Sequence, residues 1–164
     1  MRRISGRYWR MLSLRWQGEP LSGEGAARFG GRWNRPGQPA LYLSADHGTA
    51  VEEYHQSLVR PGTLCGFDVT SDAMIDVRDH ADTATCLCAW RSIWQMERQD
   101  PPTWPFVDRW IEQGAHGALF PSAQRRGGVN LVLWRWNVAD GQGARVEPVD
   151  PDGELARHRQ PPLP

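Results

Sequence analysis

The chain has 164 residues, 40% of them hydrophobic and 23% charged, and its formal net charge at pH 7 is zero. This length and composition predict one folded domain and exclude a disordered or low-complexity chain. A neutral chain lacks the global field that draws proteins to nucleic acid or to anionic membranes. No apolar run approaches the ~18 residues of a membrane-spanning helix. The charged N-terminus leads into no apolar segment, so we predict no signal peptide and a cytoplasmic protein.

Cysteine and histidine show no pattern that a metal site requires. The cysteines are Cys65, Cys86 and Cys88, and the gap between the last two is too short for the usual zinc spacing. The histidines also lack ligand spacing; they are His47, His55, His80, His116 and His158. We therefore expect reduced thiols and no metal.

Short strands alternate with helices along the chain. From hydrophobic periodicity and turn residues we predict strands at 11–16, 40–43, 63–69, 74–77, 118–120, 129–136 and 146–149. The predicted helices are at about 44–60, 87–94 and 104–113. This alternation is typical of an α+β domain of short, mostly antiparallel strands with a few helices. We assign residues 1–138 to that domain, and 139–164 to an edge strand and a loose tail that begins at Glu154.

A glycine-rich segment over residues 23–37 contains the first candidate for ligand binding. Gly30 and Gly31 allow the backbone to approach a ligand closely, and Arg32 offers a planar fork of donors that suits phosphate. A plain surface turn with an exposed arginine is the alternative. The segment is not a P-loop, because no Gly-Lys-Ser/Thr follows it.

Tyr42 and Glu53 are eleven residues apart, far enough for a strand-to-helix connection that returns both to one cleft. A tyrosine ring can stack on a flat heteroaromatic group, and a carboxylate can stabilise positive charge that develops on a sugar carbon. The alternatives are a sheet aromatic and a solvated helix charge. Thr49-x-x-Glu52 fits a capping box, which leaves Glu53 as the better functional candidate. Ser122 follows a strand, but no Gly-x-Ser-x-Gly surrounds it, which argues against a serine hydrolase.

These segments together resemble the RES domain, the toxin half of a bacterial toxin–antitoxin pair. The family takes its name from an Arg, a Glu and a Ser, for which Arg32, Glu53 and Ser122 are candidates in the right order. The resemblance spans roughly residues 8–137 and departs where Val138 follows Asn137 in place of proline. The motifs that carry it lie at 30–34, 36–42, 49–53, 117–122 and 127–131.

The resemblance implies a fold similar to ADP-ribosyltransferases and an enzyme that consumes NAD without a metal. Arg32 would hold the phosphates or ribose of NAD, Tyr42 would pack on the nicotinamide, and Ser122 would hydrogen-bond nearby. Glu53 would stabilise the oxocarbenium-like ribosyl centre. Further NAD-binding residues would be Arg10, Gly31 and Asn130.

The resemblance also implies a partner and leaves the reaction open. The partner would be a separate helix-turn-helix antitoxin of the Xre-like type that blocks the cleft, in a homodimer or a larger complex with it. NAD could be hydrolysed or phosphorolysed, or its ADP-ribose could be transferred to a cellular protein. A scaffold that binds nucleotide without turnover is a further alternative. So is a non-enzymatic module that binds single-stranded nucleic acid through Arg and Trp, although the zero net charge argues against direct contact with nucleic acid.

Overall fold

The computed structural model describes residues 1–56, 58–79 and 83–157. His80 and His158, two of the five histidines for which we predicted no role as metal ligands, lie outside these residues. The end of the predicted tail also lies outside them. Within the described part of the chain no helix is long and apolar enough to cross a membrane.

Six strands within the described residues pair into one mixed sheet that closes on itself. Its order is β1-β2-β5-β4-β3-β6, and β1 also pairs with β3, so the first five strands form a ring with β6 beside β3. Every pairing is antiparallel except that of β3 with β4. The strands are β1 (Arg2–Leu12), β2 (Leu41–Ser44), β3 (Thr63–Asp76), β4 (Gly117–Pro121), β5 (Val129–Leu133) and β6 (Arg145–Pro148).

Short helices connect these strands, and α2 packs against β1 and β2. The α-helices are α1 (Glu24–Phe29), α2 (His47–His55), α3 (Thr83–Cys86), α4 (Trp90–Gln95), α5 (Trp104–Glu112) and α6 (Glu154–Arg157). Together the elements form the predicted α+β domain of mostly antiparallel strands with a few helices.

The central strands β2, β4 and β5 are buried on both faces. Side chains of a strand alternate between faces, so neighbouring residues of β5 enter two different hydrophobic clusters. Leu131 and Leu133 belong to the cluster shared with β1 and β3, whereas Val132 belongs to a second, aromatic cluster. In that second cluster Trp33 is fully buried and stacks on Trp110 of α5, with ring centroids 5.9 Å apart. The glycine-rich segment is thereby fixed to the core.

Several predicted boundaries are wrong, and the backbone gives the reasons. The strand predicted at 11–16 is the end of β1, because the chain turns into a 3-10 helix at Leu14–Trp16. Helix α2 ends at His55, well before residue 60, because Gln56 adopts a left-handed backbone with φ of 50°. The strands predicted at 63–69 and 74–77 are one continuous strand, β3. The predicted loose tail contains α6, to which Asp150 provides an N-terminal cap.

The predicted capping box is also wrong. Asp46, three residues before Thr49, caps α2: its Oδ1 accepts a hydrogen bond from the Thr49 backbone N–H at 2.9 Å. The Thr49 hydroxyl donates to the other oxygen of the same carboxylate at 2.6 Å. These two bonds, the side-chain one foremost, lower the pKa of Asp46 below its ordinary value. Glu52 therefore has no capping role.

Candidate active site

A cavity of about 580 Å³ lies beside the ends of β1 and β2. Its wall is formed by residues of the strands β1, β2, β4 and β5 and of the helices α1, α2 and α4. The loop that follows α1, which contains Gly31 and Arg32, and the loop that follows β4 complete it. This volume is within the range of about 300–1,000 Å³ that is typical of small-molecule sites.

One side of the cavity contains a carboxylate held by neutral donors. Glu53 lies on α2, and its Oε1 accepts hydrogen bonds from the Ser122 hydroxyl at 2.6 Å and from the Asn130 amide Nδ2 at 2.7 Å. The other oxygen, Oε2, has no hydrogen-bond partner among the described residues. We call Glu53, Ser122 and Asn130 the carboxylate side. Its arrangement holds one oxygen firmly and leaves the second available to a ligand.

Local structure fixes both donors of the carboxylate side. Ser122 follows β4, and its hydroxyl oxygen accepts the backbone N–H groups of Gln124 and Arg125 at 3.1 and 3.0 Å, which leaves its proton for Glu53. Asn130 lies on β5 directly opposite Ser44 of β2, and the Ser44 hydroxyl donates to Asn130 Oδ1 at 2.8 Å.

The neighbouring carboxylate, that of Glu52, is placed differently. Its side chain is 48% exposed and lies 3.7 Å from Arg125 Nη1, and Glu52 does not line the cavity. Of the two adjacent glutamates, the structure therefore brings only Glu53 into the cavity.

The cavity is also lined by two guanidinium groups, Arg10 and Arg32, which we call the guanidinium side. Arg32 Nη1 donates to the Cys86 carbonyl at 2.8 Å. Arg10 Nη1 donates to the carbonyls of Pro20 and Ser22 at 3.1 and 3.4 Å. Neither cation has a carboxylate partner among the described residues. Burial lowers the pKa of Arg10 to about 10, because the surrounding protein solvates its charge poorly.

Tyr42 supports the loop that carries Arg32. Its ring lines the cavity, while its hydroxyl donates to Asn34 Oδ1 at 2.8 Å and accepts the Trp33 backbone N–H at 3.1 Å. Burial raises the pKa of the Tyr42 phenol, so it stays protonated at neutral pH. A Cβ at Gly31 would lie 2.5 Å from the Tyr42 oxygen, so only glycine fits there. The hydroxyl of Tyr42 is thus engaged within the protein, and its ring is the part that a ligand can contact.

The structure brings most of the candidate residues to this one cavity. Those that line it are Arg10, Gly31, Arg32, Tyr42, Glu53 and Asn130. Ser122 reaches the cavity only through its hydrogen bond to Glu53. Sequence reasoning missed two supporting residues, Ser44 and Asn34. Ser44 was predicted as the first residue of a helix, directly after the predicted strand 40–43, and that boundary was its only sequence signal. Asn34 belongs to the 30–34 motif that carries the family resemblance, but no role was predicted for it.

Comparison with known proteins identifies the family. The model of the RES domain matches residues 7–158 of the chain. The protein "Toxin Res" of Yersinia enterocolitica serotype O:8 is 26% identical over 126 residues, which cover 76% of this chain and 81% of that protein. A chain in the crystal structure of the M. tuberculosis MbcT–MbcA toxin–antitoxin complex is similar in fold, with a TM-score of 0.55, 23% identity, and coverage of 94% of this chain and 90% of that one. Because the family model matches most of the sequence and so confirms the resemblance seen in its motifs, this chain belongs to the RES domain family.

Proposed function

We propose that this protein is a toxin that depletes NAD by breaking the bond between nicotinamide and ribose. One observation carries the proposal: a single cavity holds the Glu53 carboxylate, fixed by two neutral donors, together with two guanidinium groups that have no carboxylate partner among the described residues. NAD needs both features, because its phosphates are anionic and its ribosyl centre becomes cationic during cleavage.

The carboxylate side is suited to the bond-breaking step. When the ribosyl carbon–nitrogen bond breaks, its electron pair leaves with nicotinamide, which becomes neutral, and positive charge spreads over the ribosyl carbon and ring oxygen. A carboxylate about 3 Å away stabilises that charge without accepting a proton. Ser122 and Asn130 hold Glu53 Oε1, so Oε2 is the oxygen that would face the ribosyl centre.

The guanidinium side is suited to the two phosphates. Arg32 and Arg10 would donate to phosphate oxygens, and Gly31, which also lines the cavity, lets the Tyr42 hydroxyl pack against the loop that carries Arg32. The rings of Tyr42 and Phe120, which meet edge to face with centroids 6.4 Å apart, would pack against the flat nicotinamide.

Nicotinamide release from NAD by the purified protein tests the proposal, with two adjacent glutamates as a matched pair. Glu53→Gln keeps the size of the side chain and removes its charge, and we expect it to lower kcat by about 100- to 1,000-fold. Glu52→Gln changes a half-exposed glutamate on the same helix and should leave kcat within about twofold. Equal activity of the two variants, with both folded, would contradict the assignment of Glu53.

The possible reactions differ in which molecule accepts ADP-ribose, so identifying that acceptor distinguishes them. Analysis of products with and without inorganic phosphate distinguishes hydrolysis from phosphorolysis, and labelled NAD incubated with a cell extract detects transfer to a protein. The nucleic-acid alternative predicts strong, salt-dependent binding to single strands, which a salt titration measures directly.

We further propose that a separate antitoxin of the helix-turn-helix, Xre-like type covers this cavity. The M. tuberculosis relative in fold was crystallised as a toxin–antitoxin complex. In this chain large apolar side chains are exposed beside the cavity: Phe29 ends α1 and Met96 follows α4, and other residues of both helices line the cavity. Co-expression with the product of an adjacent small reading frame should give a stable complex in which nicotinamide release is blocked.

A further inference from the structure

Ser44 lies where three strands meet beside the cavity. It is the last residue of β2, where it pairs with Trp9 of β1 on one side and with Asn130 of β5 on the other. The residue is only 4% exposed. Its hydroxyl donates to Asn130 Oδ1 at 2.8 Å, so its polar group is committed to a neighbouring side chain rather than to solvent.

The hydrogen bonds around Glu53 have one consistent direction. An ionised carboxylate only accepts hydrogen bonds, so the Asn130 amide must present its Nδ2 donor to Glu53. Its Oδ1 then points away from Glu53, into the protein, where it needs a donor. The Ser44 hydroxyl supplies that donor, and each bond in such a chain polarises the next. Glu53 thus depends on Ser44 through one intermediate side chain.

We propose that Ser44 is a positioning residue for the cleavage of NAD, acting through Asn130 on the Glu53 carboxylate. The inference rests on the proposed function. Without the Ser44 hydroxyl, Asn130 Oδ1 is buried without a donor, and the amide gains by rotating away from the geometry that holds Glu53. The loss falls on the bond-breaking step, because the residues assigned to the phosphates, Arg10 and Arg32, donate to backbone carbonyls and not to Asn130 or Glu53, and those hydrogen bonds are unchanged.

The chain offers a matched control in Ser71. It is also 4% exposed, lies on a strand, β3, and is hydrogen-bonded through its hydroxyl, here to His116 Nδ1 at 3.0 Å, but it does not line the cavity. Ser71→Ala therefore reports what the loss of a buried, hydrogen-bonded serine does to stability alone.

The experiment compares kcat and KM for nicotinamide release in Ser44→Ala, Ser44→Thr and Ser71→Ala. We expect Ser44→Ala to lower kcat about 10-fold with KM within about twofold, and Ser44→Thr, which keeps the hydroxyl, to restore kcat to within about threefold. Ser71→Ala should lose about as much thermal stability as Ser44→Ala but leave kcat unchanged. A kcat of Ser44→Ala within twofold of wild type overturns the proposal, as does an equal fall in Ser71→Ala.

A second measurement does not depend on catalytic turnover, so it still tests the proposal if a variant is too unstable for reliable kinetics. The side-chain amide protons of Asn130, observed by NMR, should exchange with solvent faster in Ser44→Ala than in wild type or Ser44→Thr. Unchanged exchange overturns the proposal even if kcat falls. If the wild-type protein releases no nicotinamide, the proposed function is wrong, and the role of Ser44 in that reaction is wrong with it. If the wild-type protein is active and Ser44→Ala has an unchanged kcat, only the role of Ser44 is wrong.

Discussion

The two sides of the cavity hold their charges in opposite ways. On the carboxylate side, Glu53 receives two strong hydrogen bonds from uncharged side chains, each fixed by a further bond of its own. On the guanidinium side, the hydrogen-bond partners of Arg10 and Arg32 among the described residues are backbone carbonyls. The first side is ordered before any ligand arrives, whereas the second carries positive charge that no carboxylate in the described part of the chain balances.

A third arginine, Arg35, lies close to Arg32 in the sequence but has acidic partners, unlike the two arginines of the cavity. Arg35 lies only three residues beyond Arg32, yet it pairs with Asp100 at 2.5 Å and with Asp108 at 3.0 Å. Its guanidinium also lies over the Trp104 ring, 4.9 Å from the centroid. Unpaired cations in a cavity favour binding of an anion, because a ligand supplies the charge that the protein omits. Arg35 therefore has a structural role, because it pairs with two aspartates and stacks on Trp104. Arg10 and Arg32 have no such ion pairs among the described residues, which leaves them available for a ligand.

The largest effect that we expect from this comparison concerns Arg10. The lowered pKa means that the charged form of Arg10 is disfavoured in the folded state at every pH below about 10. This penalty disappears only as the pH rises above about 10 towards the ordinary pKa of arginine. At neutral pH Arg10→Met should therefore raise the melting temperature by a few degrees, ~2–5 °C. In the Glu53→Gln background, in which we expect NAD cleavage to be slow, calorimetry should show NAD binding weakened about 10-fold or more.

Arg35→Met is the control for Arg10→Met. It removes a paired arginine that stacks on Trp104, so the melting temperature should fall while NAD binding changes little. If Arg10→Met lowered the melting temperature as Arg35→Met does and left NAD binding intact, the distinction between the two kinds of arginine would be lost.

A smaller effect should follow from weakening the support of the guanidinium side. Tyr42→Phe leaves the Trp33 N–H and Asn34 Oδ1 without their partner in a buried region, so the free energy of unfolding should fall by about 1–3 kcal/mol. Tyr54→Phe loses one exposed hydrogen bond, to the Pro61 carbonyl, and should be milder. Urea unfolding of both variants measures the difference; equal losses would show that the Tyr42 hydroxyl does not hold the loop.

The smallest effect concerns the support of the carboxylate side. Asp46 caps α2, which carries Glu53, and Asp46→Ala should lower the free energy of unfolding at pH 7 by about 1 kcal/mol. Because the pKa of Asp46 is lowered in the folded state, its contribution is complete above the unfolded value near 3.8 and is lost as the pH falls through the lower folded value. Thermal unfolding from pH 7 down to pH 3 should show wild type and variant converge, and a constant gap would contradict this cause.

The sequence predicted the elements that have a strong apolar pattern and missed those that do not. Strands β2, β4 and β5 are buried on both faces, and their apolar runs predict them. Strand β1 begins with two arginines and is exposed over much of its length, so its pairing with β3, not its own pattern, makes it a strand. Helix α1 lies in the glycine-rich segment, where glycine argues against a helix.

The candidate site was predicted by residue type, but its geometry was not. The choice of Glu53 over Glu52 relied on a capping box that does not form, since Asp46 is the cap. What distinguishes the two glutamates is their direction from α2, and that depends on how the helix packs on β1 and β2. The roles of Ser44 and Asn34 depend on strand register and loop closure, which no spacing in the sequence specifies.

The way in which β1 and β2 meet has a consequence for how the molecule opens. Ten residue pairs join β1 to β3, whereas one pair, Trp9 with Ser44, joins β1 to β2. The other pairings of the ring have between three and ten residue pairs, so separating β1 from β2 breaks the fewest strand-to-strand hydrogen bonds. We therefore expect the earliest fluctuations of the ring to occur between β1 and β2, next to Arg10 and Asn130, so that the strands carrying these candidate ligand-binding residues would be the first to separate.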